Sequence, residues 1–221
     1  MEKRGNLSSQ AYKKFKELLF DKVWKPGDFV SQPELINKTG FSLSPMRDAL
    51  HKLSAEGLVK ITPRKGIQIT PSSLKIIREV FHLRKIIEKE AVIFFINNAH
   101  EDVIKKLEKH HESLVHDTKS ESLPTKMREI IISGENVIYE EIISFMGNEL
   151  LTRIYKLNTD RIRLFRTDYE FSYTKQHVLD IINEHADTIE AISSKDIKQA
   201  IKRLDHHINM SLKRALGPPY F

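Results

Sequence analysis

Apolar positions change their period several times over the first seventy residues. In AYKKFKELLF, Tyr12, Phe15, Leu18 and Leu19 share one helical face, and WKPGDFV interrupts the pattern. PELINKTG predicts a second, short helix that stops at Gly40. In GFSLSPMRDALHKLSAEG, Met46, Ala49, Leu50 and Leu53 recur at helical spacing, leaving Leu43, Ser44, Arg47, His51 and Lys52 on or near the opposite face. Ser42 or Ser44 is predicted to cap this third helix and Pro45 to take its first position, so that it starts near Ser44 and stops at Gly57. LVKIT then alternates as a strand, and PRKG turns the chain back into IQIT.

The order helix, helix, turn, helix, hairpin is that of a winged helix-turn-helix. In such a unit the basic face of the third helix meets DNA bases, and a hairpin tipped by Arg64 and Lys65 reaches phosphates or a minor groove. Pro71 then breaks the chain, and Ser72 or Ser73 caps the next helix. Beyond this boundary the pattern predicts no strand. It gives six helical stretches, at about 74–97, 100–117, 122–146, 148–172, 174–193 and 195–216. The expected fold is mainly α: a winged helix-turn-helix over 1–70, a linker at 71–74, and an all-α antiparallel helical bundle over 75–221.

Several polar residues fall on the apolar faces of that bundle. Glu135 lies on the face of Ile132, Tyr139, Ile142, Ile143 and Met146; His185 lies among Val178, Ile181, Ile182, Ile189 and Ile192. His207 shares a face with Ala200, Leu204, Ile208 and Ser211, while His206 sides with Arg203 and Met210 toward the rim. Arg84, flanked by Ile77, Val80, Ile87 and Ala91, and Arg161, flanked by Ile154 and Phe165, also look inward. Burying such groups is costly unless they satisfy one another or a ligand, so the bundle is expected to enclose a polar cavity. The plainer alternative for Arg84 is an ion pair with Glu88 one turn on. For Arg161 a clamp on an effector carboxylate and a structural pair remain equally open.

Charge separates the two halves. Residues 1–70 carry 13 Lys and Arg against 7 Asp and Glu, whereas residues 71–221 carry 23 of each. A cationic excess confined to one domain favours phosphate contacts. With no cysteine, thiolate metal sites and disulfides are excluded. No apolar run approaches the roughly 20 residues of a membrane span, nor is there a leader-like apolar region, so a cytoplasmic protein without membrane contact is expected.

The run WKPGDFVSQPELINKTGFSLSPMRDALHKLSAEGLVKITPRKGIQI resembles the DNA-binding domain of GntR-type bacterial transcription regulators. That resemblance implies a DNA interface of Ser42, Ser44, Pro45, Arg47, His51, Arg64, Lys65 and Gly66, with Arg47 as major-groove base reader and Arg64, Lys65 and Gly66 as wing tip. Leu43 stands where many members have Arg, and Gln32 and Pro33 where some have basic residues, so the operator is expected to differ from the commonest family site. The second domain resembles the FCD ligand-sensing domain of the FadR subgroup. There an acidic residue, a His one turn later and two later His residues surround a metal. In this chain Glu135, His185 and His207 fill three of those places and Tyr139 stands where the first His is expected. Phenol is a poor zinc ligand at neutral pH. Two arrangements stay open: one zinc, nickel or manganese ion per protomer, or a metal-free site in which Tyr139 donates to a ligand.

Together these features predict a homodimeric repressor that binds a palindromic or near-palindromic double-stranded DNA operator. A small organic acid held by Arg84, Tyr139 and Arg161 would control it. Two rival classes are a metal-dependent hydrolase and an effector-independent architectural winged-helix protein. The chain has no HExxH element, nucleophile elbow or phosphate loop to support the first.

Overall fold

The computed structural model describes residues 2–62, 66–120, 138–166 and 175–217. It divides into two compact units, residues 1–76 with 160–165, and residues 77–159 with 166–221.

In the first unit, α1 (Glu2–Phe20) buries Ala11, Phe15, Leu19 and Phe20 and packs on α3 (Leu43–Ala55). Phe15 meets Trp24 edge to face at 5.3 Å. Helix α2 (Gln32–Thr39) is closed at both ends by its own sequence. The Ser31 side chain accepts from the Glu34 amide, and Gly40, with φ of 75°, takes the left-handed turn that a side chain disfavours. Helix α3 buries Pro45, Met46, Ala49, Leu50 and Leu53. It begins one residue earlier than the sequence suggests: Ser42 precedes it in extended conformation without a side-chain capping bond, and Pro45 is its third residue, not its first.

The expected hairpin forms from β2 (Val59–Thr62) and β3 (Gly66–Ile69), with Ile61 opposite Ile67. A third strand, β1 (Phe29–Val30), pairs antiparallel with β3, giving the order β1-β3-β2. The sequence concealed it because two residues cannot display an alternation.

In the second unit the described residues hold no strand. Helices α4 (Leu74–Asn98), α5 (Glu101–Ser120), α6 (residues 138–145), α7 (Glu149–Phe165), α8 (Lys175–Ser193) and α9 (Ile197–Leu216) succeed one another in order. Leu74–Ile76 of α4 and Asp160–Phe165 of α7 belong to the first unit. Caps again come from short polar side chains: the Asn148 side chain accepts from the Leu151 amide, and that of Asp196 from the Gln199 amide. Helix α9 turns Ala200, Leu204, His207, Ile208 and Ser211 inward and leaves His206 exposed, as its periodicity predicts. It packs on α8, which in turn packs on α5.

Candidate functional site

On the winged unit, Leu43, Arg47, Leu50 and His51 of α3 form one wall of a groove of about 580 Å³. Ser31, Gln32 and Pro33 at the start of α2 and Ile61, Thr62, Gly66 and Ile67 of the hairpin form the others. Ser42, Ser44, Arg47 and His51 are exposed, which suits contact with DNA. Pro45 is buried, because its position on α3 faces the core beside Met46 and Ala49. Gly66, with φ of 96°, opens β3; a Cβ there would lie 3.2 Å from the Val30 carbonyl oxygen. Arg64 and Lys65 lie outside the described residues.

The second unit contains a buried polar network. Arg84 and Glu88, one turn apart on α4, are buried and joined by Nε donating to Oε1 at 2.7 Å. The Tyr155 hydroxyl of α7 donates to the same Oε1 at 2.6 Å. Burial and then the Glu88 charge push that phenol well above its usual range. Arg84 also donates to the Ser211 hydroxyl at 3.2 Å, and another of its nitrogens lies 3.0 Å from His207 Nε2. An arginine has only donors, so His207 Nε2 accepts, and its Nδ1–H donates to Glu184 Oε2 at 2.9 Å. Arg214 closes the chain with two bonds to Glu184, at 2.9 and 2.8 Å. Burial alone would raise the Glu184 carboxyl, but hydrogen bonds from Arg214 and His207 outweigh it and hold the pKa at about 2.

Tyr139 is wholly buried against this network. Its ring stacks on that of His207 with centroids 5.7 Å apart and meets the His185 ring edge-on at 5.7 Å; the two imidazoles are 4.6 Å apart. Burial, then the Glu88 charge, drives the phenol far above its ordinary pKa, so it is a neutral hydroxyl and not a phenolate. It sits beside Thr188 without the geometry of a full hydrogen bond. Glu88 Oε2 likewise has no hydrogen-bond partner among the described residues. Two buried polar atoms in this condition call for a partner such as a water molecule, an ion or a ligand.

Arg84, Tyr139, His185 and His207, singled out in the sequence, lie close together, and the plain alternative of an Arg84–Glu88 pair is also present. The sequence reading gave Glu184, which stands beside His185, no role of its own and did not single out Arg214, a cation two turns after His207. Arg161 does not join them. It belongs to the first unit, where its Nε donates to the Glu56 carbonyl at 3.0 Å and its guanidinium lies over Gly57. Its supposed neighbour Ile154 is 39% exposed, so the inward stripe that suggested a clamp does not run along α7.

As arranged among the described residues, the donor set does not suit a divalent metal. A metal on His207 Nε2 would displace a guanidinium, and one on Nδ1 would displace Glu184. Burial, then the Glu88 charge, favours the neutral phenol of Tyr139, which is a poor replacement for an imidazole. No group of three His, Asp or Glu suited to a metal occurs among the described residues, and Glu135 lies outside them.

Comparison with known proteins gives these features a common frame. Residues 79–210 match the FCD domain, and residues 7–69 match the bacterial regulatory proteins of the gntR family. The HTH-type transcriptional regulator YdhC of Bacillus subtilis (strain 168) is 29% identical over 201 residues, covering 90% of this chain and 87% of its own. McbR/YncC of E. coli superposes with a TM-score of 0.74 at 18% identity, covering 92% of this chain and 94% of that one. The metal-free FCD domain of TM0439 shares 25% identity at a TM-score of 0.51, over 64% of this chain and 92% of that domain. No described helix is long and apolar enough to cross a membrane. The chain thus belongs to the GntR family of bacterial transcription regulators, in the FadR-like subgroup that joins a DNA-binding winged domain to an effector-binding FCD domain, and it is a regulator and not an enzyme.

Proposed function

We infer that this regulator is a cytoplasmic homodimeric repressor whose hold on a palindromic or near-palindromic operator is controlled by a small organic acid bound without metal in the helical domain. The observation that carries the DNA half is the placement of Arg47, exposed at the start of α3 and lining the groove with Gln32, His51 and the wing strands. A dimer presents two such helices to half-sites about one DNA turn apart, which is why the operator repeats with inverted symmetry.

The effector half rests on the buried network. Arg84 supplies the cation that an effector carboxylate would take, Tyr139 a hydroxyl beside it, and Glu88 an acceptor for a donor on the same molecule. An incoming carboxylate competes with Ser211 and His207 for Arg84, so binding is felt on α9. Such a ligand alters operator affinity only to the extent that it prefers one arrangement of the dimer over another.

The test selects duplexes from a random pool with the full chain, then repeats the binding with Arg47→Ala and with a panel of mono- and dicarboxylic acids. Loss of sequence preference in Arg47→Ala is expected, with release of DNA by at least one acid in the wild type and not in Arg84→Lys. Full sequence preference in Arg47→Ala would overturn the DNA reading, and indifference to every acid would count against the effector class.

A further inference from the structure

Leu43 is the first residue of α3 and one turn before Arg47, about 6 Å along the helix axis. Both line the same groove. The core positions of this helix are Pro45, Met46, Ala49, Leu50 and Leu53; Leu43 is not among them and remains partly exposed. The sequence therefore places an aliphatic side chain at the end of the helix that approaches base edges, where it contributes little to packing. Gln32 at the start of α2 and His51, two turns farther along α3, are polar residues that line the same groove.

We propose that Leu43 reads the 5-methyl group of a thymine lying one or two base pairs from the guanine taken by Arg47. The inference rests on α3 being the helix that enters the major groove. Leucine has neither donor nor acceptor, so a base edge pressed against it loses water from any polar atom it turns toward the side chain. Among the four bases only thymine offers an apolar group in the major groove; guanine, adenine and cytosine meet the protein there with donors and acceptors. Leu43 thus acts by selecting the methyl and by excluding base edges it leaves unsatisfied, while Arg47 supplies the directional contact. Ile61, 43% exposed on β2, is another aliphatic side chain on this groove, and it sits on the wing and not on α3.

The experiment takes the duplex selected by the full chain and replaces each thymine in turn with deoxyuridine, which removes only the methyl. At one thymine per half-site, affinity should fall about fourfold, the worth of one buried methyl group. In Leu43→Ala the thymine and uracil duplexes should bind equally, while Ile61→Ala keeps the difference. In Leu43→Arg, selection should turn toward guanine at that position, with the base read by Arg47 unchanged. The proposal is overturned if no thymine is sensitive to its methyl, or if the sensitivity survives Leu43→Ala or disappears in Ile61→Ala. The general reading of α3 fails separately, by retention of sequence preference in Arg47→Ala. Thermal unfolding of Leu43→Ala close to that of the wild type would exclude a folding effect.

Discussion

The guanidinium of Arg84 and the Nε2 of His207 stand 3.0 Å apart, and this contact sets the chemistry of the helical site. It makes His207 an acceptor on one side and a donor to Glu184 on the other, so the imidazole links two arginines through one carboxylate. Protein purified without chelator should therefore contain far less than one zinc, nickel or manganese per protomer by elemental mass spectrometry. Near-stoichiometric metal that vanishes in His207→Ala would refute this arrangement.

Arg84 also neutralises Glu88, which is wholly buried. Removing the cation alone leaves a carboxylate supported mainly by the Tyr155 hydroxyl, so Arg84→Met should cost about 3–5 kcal/mol of stability in urea unfolding. The double change Arg84→Met with Glu88→Leu should recover a large part of that loss, since it removes both charges. If the double variant is as unstable as the sum of the two single variants, the pair is not energetically coupled.

Acid stability should report on Glu184. Its folded pKa of about 2 lies below the ordinary 4.5, so the carboxylate stabilises the native state above about pH 4.5. That contribution is lost as pH falls from about 4.5 toward 2. Glu184→Gln should be less stable at neutral pH and lose less between those two values. Parallel acid limbs for the two proteins, measured by circular dichroism, would show that Glu184 carries no linkage.

These residues also show what the sequence could and could not reveal. The Ala200, Leu204, His207, Ile208 and Ser211 stripe was legible because a long helix repeats its burial every turn, and helix ends such as Gly40 declare themselves chemically. Strand β1 was illegible because two residues carry no period, and Arg161 misled because the exposed Ile154 looks apolar in a helical projection. The partners of Glu184 were hidden for another reason. Arg214 and His207 come from a different helix, and a carboxylate that accepts from two side chains on α9 looks, on α8, like any solvated residue.

Base reading and phosphate binding should separate on the winged domain. Arg47 lines the groove from α3, whereas Arg64 and Lys65 stand in the sequence between β2 and β3. Arg47→Ala should cost about 1–3 kcal/mol of discrimination at one base pair per half-site. Arg64→Ala and Lys65→Ala should instead weaken all duplexes alike and lower the slope of log affinity against log salt by about 1 for each phosphate no longer neutralised. Titrations of selected and scrambled duplexes at several salt concentrations distinguish the two effects. A wing variant that changes base preference while leaving the salt slope intact would move sequence reading from α3 to the hairpin.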